Sequence, residues 1–159
     1  MIRQRGQLGM AMFLLSEAVF FFLLILAFVY FRAAGAGKLN LEAGAIDTAC
    51  LLASVISMWR ATAGDRRWLA ITIALGAAFL IGQGRQYLHL IRDGVTISQG
   101  LFGTTFFTLA GAHGLHVLIG LVVLAMVPST GIRAMALYWY FFAGVWLAIF
   151  LVAYVGSAA

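Results

Sequence analysis

Five stretches of this chain are apolar for long enough to cross a lipid bilayer, and nothing else in the sequence limits its fold so strongly. They cover about residues 7–31, 41–59, 68–91, 100–127 and 134–156, close to or above the roughly 20 residues that a helix needs to traverse ~30 Å of hydrocarbon. Lipid offers no water to free N–H and C=O groups, so each stretch must satisfy its own backbone as a helix. The connectors are short and polar: RAAGAGKLN, RATAGDRR, RDGVTISQ and PSTGIR. No period indicates a soluble repeat and no linker a second unit. The expected fold is all-α, a polytopic bundle of five transmembrane helices formed by residues 1–159. Composition agrees: 64% of the 159 residues are hydrophobic and 9% charged, more apolar surface than a water-soluble chain of this size can bury.

Charge sets the expected orientation. Arg3, Arg5, Arg60, Arg66, Arg67 and Arg133 fall on one side, against Arg32, Lys38 and Arg92 on the other, while Arg85 lies within a span. The richer side is cytoplasmic by the positive-inside rule, which puts the N-terminus in the cytoplasm and the C-terminus in the periplasm. The net charge of +5 then serves orientation and anionic headgroups rather than nucleic acid. The first apolar stretch is too long for the core of a signal peptide and contains Glu17, so it reads as a retained span. Cys50 stands alone in an apolar run, which excludes a disulfide framework and a cysteine-based metal or redox motif.

Ionisable groups at membrane depth are costly unless paired or wet. Glu17 lies about ten residues into the first span, and His116 about eleven from the cytoplasmic end of the fourth, so both sit roughly 15 Å deep. His113 and His116, three apart, share a helix face that Glu17 reaches if the two spans are neighbours. Three readings compete. A metal site needs three or four ligands, and HxxH with one carboxylate supplies at most three. A proton relay is chemically possible. A polar contact that pins two helices asks least of these residues and is favoured, with Gly111, Gly114 and Gly120 allowing a neighbouring backbone to come close. A second group, Arg85, His89 and Arg92, forms one face of the third span near its outer end. It is either a lipid-facing basic stripe or a set in which Arg85 pairs with Asp47 at the start of the second span. Trp59, Trp68, Trp139 and Tyr138 lie near span ends, as interfacial anchors do. With Arg60, Arg66 and Arg67, the first two form a candidate headgroup contact. Trp146 lies deeper and reads as packing.

At GTTFFTLAGAHGLHVLIG the sequence resembles subunit III of the haem-copper oxidases, whose corresponding stretch is STFF…GFHGLHV. FLLSEAVFFFLLILAFVYF is similar to that family's SEVMFF helix, with Ser16 and Glu17 matching. DTACLLASVISMW resembles its NTxxLLxSS segment, QGRQY…ISQGLFGTTFF its QAxEY…ISDGxYGSTFF pattern, and YWYFFAGVWLAIF its WYWHFVDVVWLFLY end. The motifs occur in order over nearly the whole chain. Gln86 stands where the family has glutamate and Asp47 where it has asparagine, as though a charge had moved to the neighbouring helix. Tyr140 and Ala143 replace a histidine and an aspartate. The chain begins where the third helix of the seven-helix form would, as in shorter bacterial members.

The resemblance implies a non-catalytic subunit of a proton-pumping terminal oxidase in a bacterial inner membrane. Haem and copper would belong to partner subunits and none to this chain. The implied partners are subunit I directly and subunit II, with phospholipid held alongside. The same pattern suits a subunit-III-like component of a nitric oxide reductase or of a quinol oxidase. A free-standing proton channel is a more distant reading, since no inverted repeat or broken helix pair is visible.

Overall fold

A computed structural model describes residues 2–31, 39–98, 100–128 and 130–156. Five long helices follow one another: α1 (Ile2–Phe31), α2 (Leu41–Thr62), α3 (Arg67–Arg92), α4 (Leu101–Met126) and α5 (Ile132–Phe150), the last continuing as a π turn over Leu151–Val155. All five are long and apolar enough to span a membrane. Arg32 and Lys38, counted on the sparser side of the charge balance, lie outside the described residues.

Helix ends obey local chemistry rather than hydropathy. Asn40 caps α2, its side-chain oxygen accepting from the Ala43 N–H at 3.1 Å, which satisfies a donor that the helix cannot. Hydropathy places the end of that span at residue 59, but the helix continues to Thr62 and stops before Gly64, whose φ of +121° only glycine adopts freely. Apolar residues mark contact with lipid, whereas backbone bonding persists until a residue breaks it. At the far end of α3, Val95 N–H reaches Leu90 O at 2.9 Å and Gly94 N–H reaches Ile91 O at 3.1 Å. With Gly94 at φ +82°, this is a Schellman stop.

α2 and α3 form an antiparallel hairpin; α5 lies against α2 and α4, α4 also touches α3 and α1, and α1 packs on α4 and α5. Between helices in lipid, close packing and polar contacts replace the hydrophobic drive. The core is accordingly aromatic, with Phe21, Phe28, Phe79, Phe106, Phe142, Trp146 and Tyr154 almost wholly buried. Gly76 makes room for Trp139 and Leu121, and Gly120 for Tyr138. Gly111 and Gly114 do not: a methyl group on either would meet only ordinary contacts, at 3.8 and 3.9 Å. α1 is the least covered helix, with 11% of its most apolar window buried against 44% in the last span.

Two expected interfacial anchors are instead part of this core. Trp139 is 2% exposed and donates to Ser54 Oγ at 2.9 Å, while Tyr138 is 6% exposed and donates to His116 O at 2.7 Å. Proximity to a span end does not tell which way an aromatic side chain faces, and these two face inward. Trp59 does face outward, at 66% exposure. Trp146, read as packing, is buried and donates to Thr48 Oγ1 at 3.0 Å.

Candidate functional site

The polar side chains gather in two interhelical clusters. In the first, α1 and α4 bring Glu17 Oε2 to 3.2 Å from His116 Nε2, with both side chains less than one-fifth exposed. The distance is that of an ion pair, but no hydrogen bond joins the two atoms, and Glu17 Oε2 has no hydrogen-bond donor among the described residues. The other imidazole nitrogen, Nδ1, lies 2.8 Å from Ala112 O one turn back. A carbonyl only accepts, so Nδ1 carries the hydrogen. The Phe142 ring stacks on this imidazole at 4.7 Å, fixing its plane from the α5 side.

His113 shares the α4 face with His116 but serves another helix. It is fully buried, and its Nε2 donates to Phe142 O of α5 at 2.9 Å. Phe79, Trp146 and Phe21 ring it at centroid distances of 5.8, 5.2 and 6.3 Å. Adjacent positions on one helix face thus tie α4 to two neighbours, His116 to α1 and His113 to α5. Among the described residues, no group of three or more His, Cys, Asp or Glu side chains converges as a metal site would.

The second cluster lies at the opposite end of the α2–α3 hairpin from Gly64. Asp47 of α2 is 8% exposed and lies directly over Gly82 of α3, where any side chain would displace it. Its Oδ2 accepts from Gln83 Nε2 at 3.0 Å and Gln86 Nε2 at 2.7 Å. Gln86 Oε1 in turn accepts from the Tyr154 hydroxyl at 2.7 Å, so one carboxylate joins α2, α3 and the π turn after α5. Asp47 and Arg85 make no direct ion pair among the described residues, where Glu17–His116 is the ion pair, but the Arg85 charge still attracts the Asp47 carboxylate electrostatically. Gln83 and Gln86 are one turn apart on the buried face, whereas Arg85, about 100° around the helix from Gln86, points outward with His89. Asp47, Arg85, Gln86 and His89 nevertheless line one cavity of about 460 Å³.

Of this cluster and its neighbours, Asp47 and Gln86 were legible in the sequence, whereas Gln83, Tyr154, Thr48 and Ser54 were not. Gln83 and Gln86 at i, i+3 in an apolar span were a usable signal; the tyrosine and hydroxyl partners become visible only when α5 is in place. At the other membrane face, the Arg60 guanidinium covers the Trp68 ring at 4.9 Å and Arg66 Nη2 donates to Val127 O at 3.1 Å, while Arg67 is exposed. Arg60 and Arg66 therefore have partners within the chain.

The family described as cytochrome c oxidase subunit III matches residues 1–158. Cytochrome c oxidase subunit 3 of Corynebacterium diphtheriae is 33% identical over 92% of this chain and 85% of its own length. The subunit 3 of Sus scrofa is 35% identical over 95% of this chain and 70% of its own length. Cytochrome bo(3) ubiquinol oxidase subunit 3 of Pseudomonas aeruginosa is 35% identical over 71% of this chain and 64% of its own.

Proposed function

This chain belongs to the cytochrome c oxidase subunit III family, and from that membership we propose that it braces the oxygen-reducing subunit I of a haem-copper oxidase as its non-catalytic third subunit. The observation that carries the reading is how the ionisable side chains of the bundle core are used. Glu17 meets His116, His113 binds a backbone carbonyl of α5, and Asp47 binds two glutamines. These groups are engaged with neighbouring helices, which stiffens the bundle and leaves the redox chemistry to other chains. α1 carries the complementary feature, a broad uncovered apolar surface that includes Leu8, Met12, Leu15, Val19, Phe22 and Leu26. A catalytic subunit and the acyl chains of phospholipids are the surroundings that suit it.

A stiff bundle docked on subunit I slows excursions that would open its metal centres. In this reading the chain spans a bacterial inner membrane with its N-terminus cytoplasmic and its C-terminus periplasmic, and subunit II belongs to the same assembly. The electron donor is chosen in other subunits. A quinol oxidase is the second reading, favoured by the likeness to the ubiquinol oxidase subunit.

Gentle purification through a tag on this chain, with a visible spectrum and mass identification of co-eluting chains, tests both. Co-elution with a haem-containing oxidase subunit I is expected. A copper-bearing subunit II would indicate cytochrome c as donor, and a subunit II without copper would indicate quinol. A chain that elutes alone and carries protons when reconstituted, or that elutes with a nitric oxide reductase, would overturn the proposal.

A further inference from the structure

The cavity between the start of α2 and the end of α3, about 460 Å³ in volume, carries on its walls a carboxylate and a guanidinium that attract each other without meeting. Asp47 gives Oδ2 to Gln83 and Gln86, while Oδ1, which lies over Gly82, accepts no hydrogen bond among the described residues. Arg85 lines the same cavity and is exposed. Its charge pulls on the Asp47 carboxylate, yet the two form no ion pair. At ~100° per residue, Gln86 lies about 40° to one side of Gly82 around the α3 axis and Arg85 about 60° to the other. Long side chains on a helix lean back over the preceding turn, and for Arg85 that turn is where Gly82 stands. Gly82 puts no side chain between the guanidinium and Oδ1. Arg85 is about seven residues, ~10 Å, from the end of its helix, a depth at which a cation gains from a close anion.

We propose that Arg85 is a latch on this cavity: its side chain swings back over Gly82 and donates to Asp47 Oδ1, closing the pocket and fastening α2 to α3 at the end of the hairpin away from Gly64. The conformation described above is the open one, with the guanidinium at the rim. In the closed one, Asp47 accepts from the two glutamines through Oδ2 and from Arg85 through Oδ1, so both oxygens of the carboxylate take charge-assisted bonds. Closure turns one side chain and leaves the backbone and the glutamine bonds as they are. What the latch controls is access from the surface to Asp47 and to Ala43, a small residue on the same wall. The device belongs to the fold and does not depend on which partner the chain braces.

The test reads access to position 43 in the complex purified through a tag on this chain. In a Cys50→Ala background, the Ala43→Cys variant is treated with a small neutral methanethiosulfonate, and mass spectrometry of this chain follows the rate of modification. That rate scales with the open fraction. Arg85→Gln is expected to raise it about threefold or more, which corresponds to a parent that is open about one-third of the time or less. Arg85→Lys keeps a cation on a long stem and should restore most of the protection. Raising the salt concentration should speed modification of the parent and leave the Arg85→Gln variant unchanged. Because Asp47→Asn also touches the buried network, it serves only as a background: within it, Arg85→Gln should no longer change the rate. An Arg85→Gln rate equal to that of the parent, or a rise of the same size with Asp47→Asn in place, would overturn the latch.

Discussion

Gly82 and Gly84 stand two residues apart on α3, and an alanine at each separates the effect of helix propensity from that of the Asp47 contact. Gly84 has nothing within 4 Å of where its Cβ would be, so Gly84→Ala brings only the propensity gain of about 1 kcal/mol. At Gly82 the new methyl would fall on the Asp47 carboxylate. That carboxylate cannot retreat along its own helix, and moving it aside breaks the bonds from Gln83 and Gln86. Each such bond to a charged acceptor is worth about 1.5–3 kcal/mol, so the loss of ~3–6 kcal/mol exceeds the ~1 kcal/mol gain. Gly82→Ala is therefore expected to destabilise the bundle by about 2–5 kcal/mol, while Gly84→Ala leaves it equal or slightly more stable. The assay is unfolding of the purified protein in mixed micelles as the denaturing detergent fraction rises, followed by far-ultraviolet circular dichroism and tryptophan fluorescence. Removing the obstacle supplies the decisive control: in an Asp47→Ala background, Gly82→Ala should lose most of its cost, a coupling that a double-mutant cycle measures directly. Equal stability of the two glycine variants, or full additivity of Gly82→Ala with Asp47→Ala, would refute the reasoning.

Other outcomes follow from the remaining contacts. Glu17→Ala should weaken the hold of α4 on α1 by about 1 kcal/mol, the usual size of an interhelical polar contact in lipid. This should appear as faster loss of the chain from the complex on detergent dilution, with the haem spectrum of the retained complex unchanged. Trp146→Phe keeps the ring but not the Nε1 bond to Thr48 and should cost about 1 kcal/mol. Thr48→Val should cost about the same, and the double variant little more than either. His113→Ala empties a fully enclosed aromatic cage and should cost about 2–4 kcal/mol in the same unfolding assay. Nitrogen NMR of His113 should find the hydrogen on Nε2, because Phe142 O can only accept; a hydrogen on Nδ1 alone would contradict the packing described.

The two clusters differ in how readily sequence revealed them. Glu17 and His116 were matched by depth, since antiparallel helices of known rise put residues at calculable levels, and a buried carboxylate needs a partner there. Asp47 was matched by charge to Arg85, which attracts it without a direct ion pair, while its hydrogen bonds come from Gln83 and Gln86. Depth and charge agreed, but the direction of the side chain on α3 decided otherwise. One residue along the helix turned the cation outward and presented an amide in its place. Tyr138 and Trp139 failed for the same reason, since position along a span says nothing about rotation around it.

What the chain determines by itself is its solvent and therefore its secondary structure. Five long apolar stretches in lipid have one way to satisfy their backbone, and the number and order of the helices follow from that. Rotation of each helix about its axis was settled only in the assembled bundle, because lipid and a neighbouring apolar helix solvate leucine and phenylalanine almost equally well. Small energetic differences break that tie: a glycine that lets an indole or a carboxylate approach, and a polar atom that finds its partner across the interface. Such terms exist only once two helices are in contact, so the three-helix junction at Asp47, Gln86 and Tyr154 belongs to the tertiary structure alone.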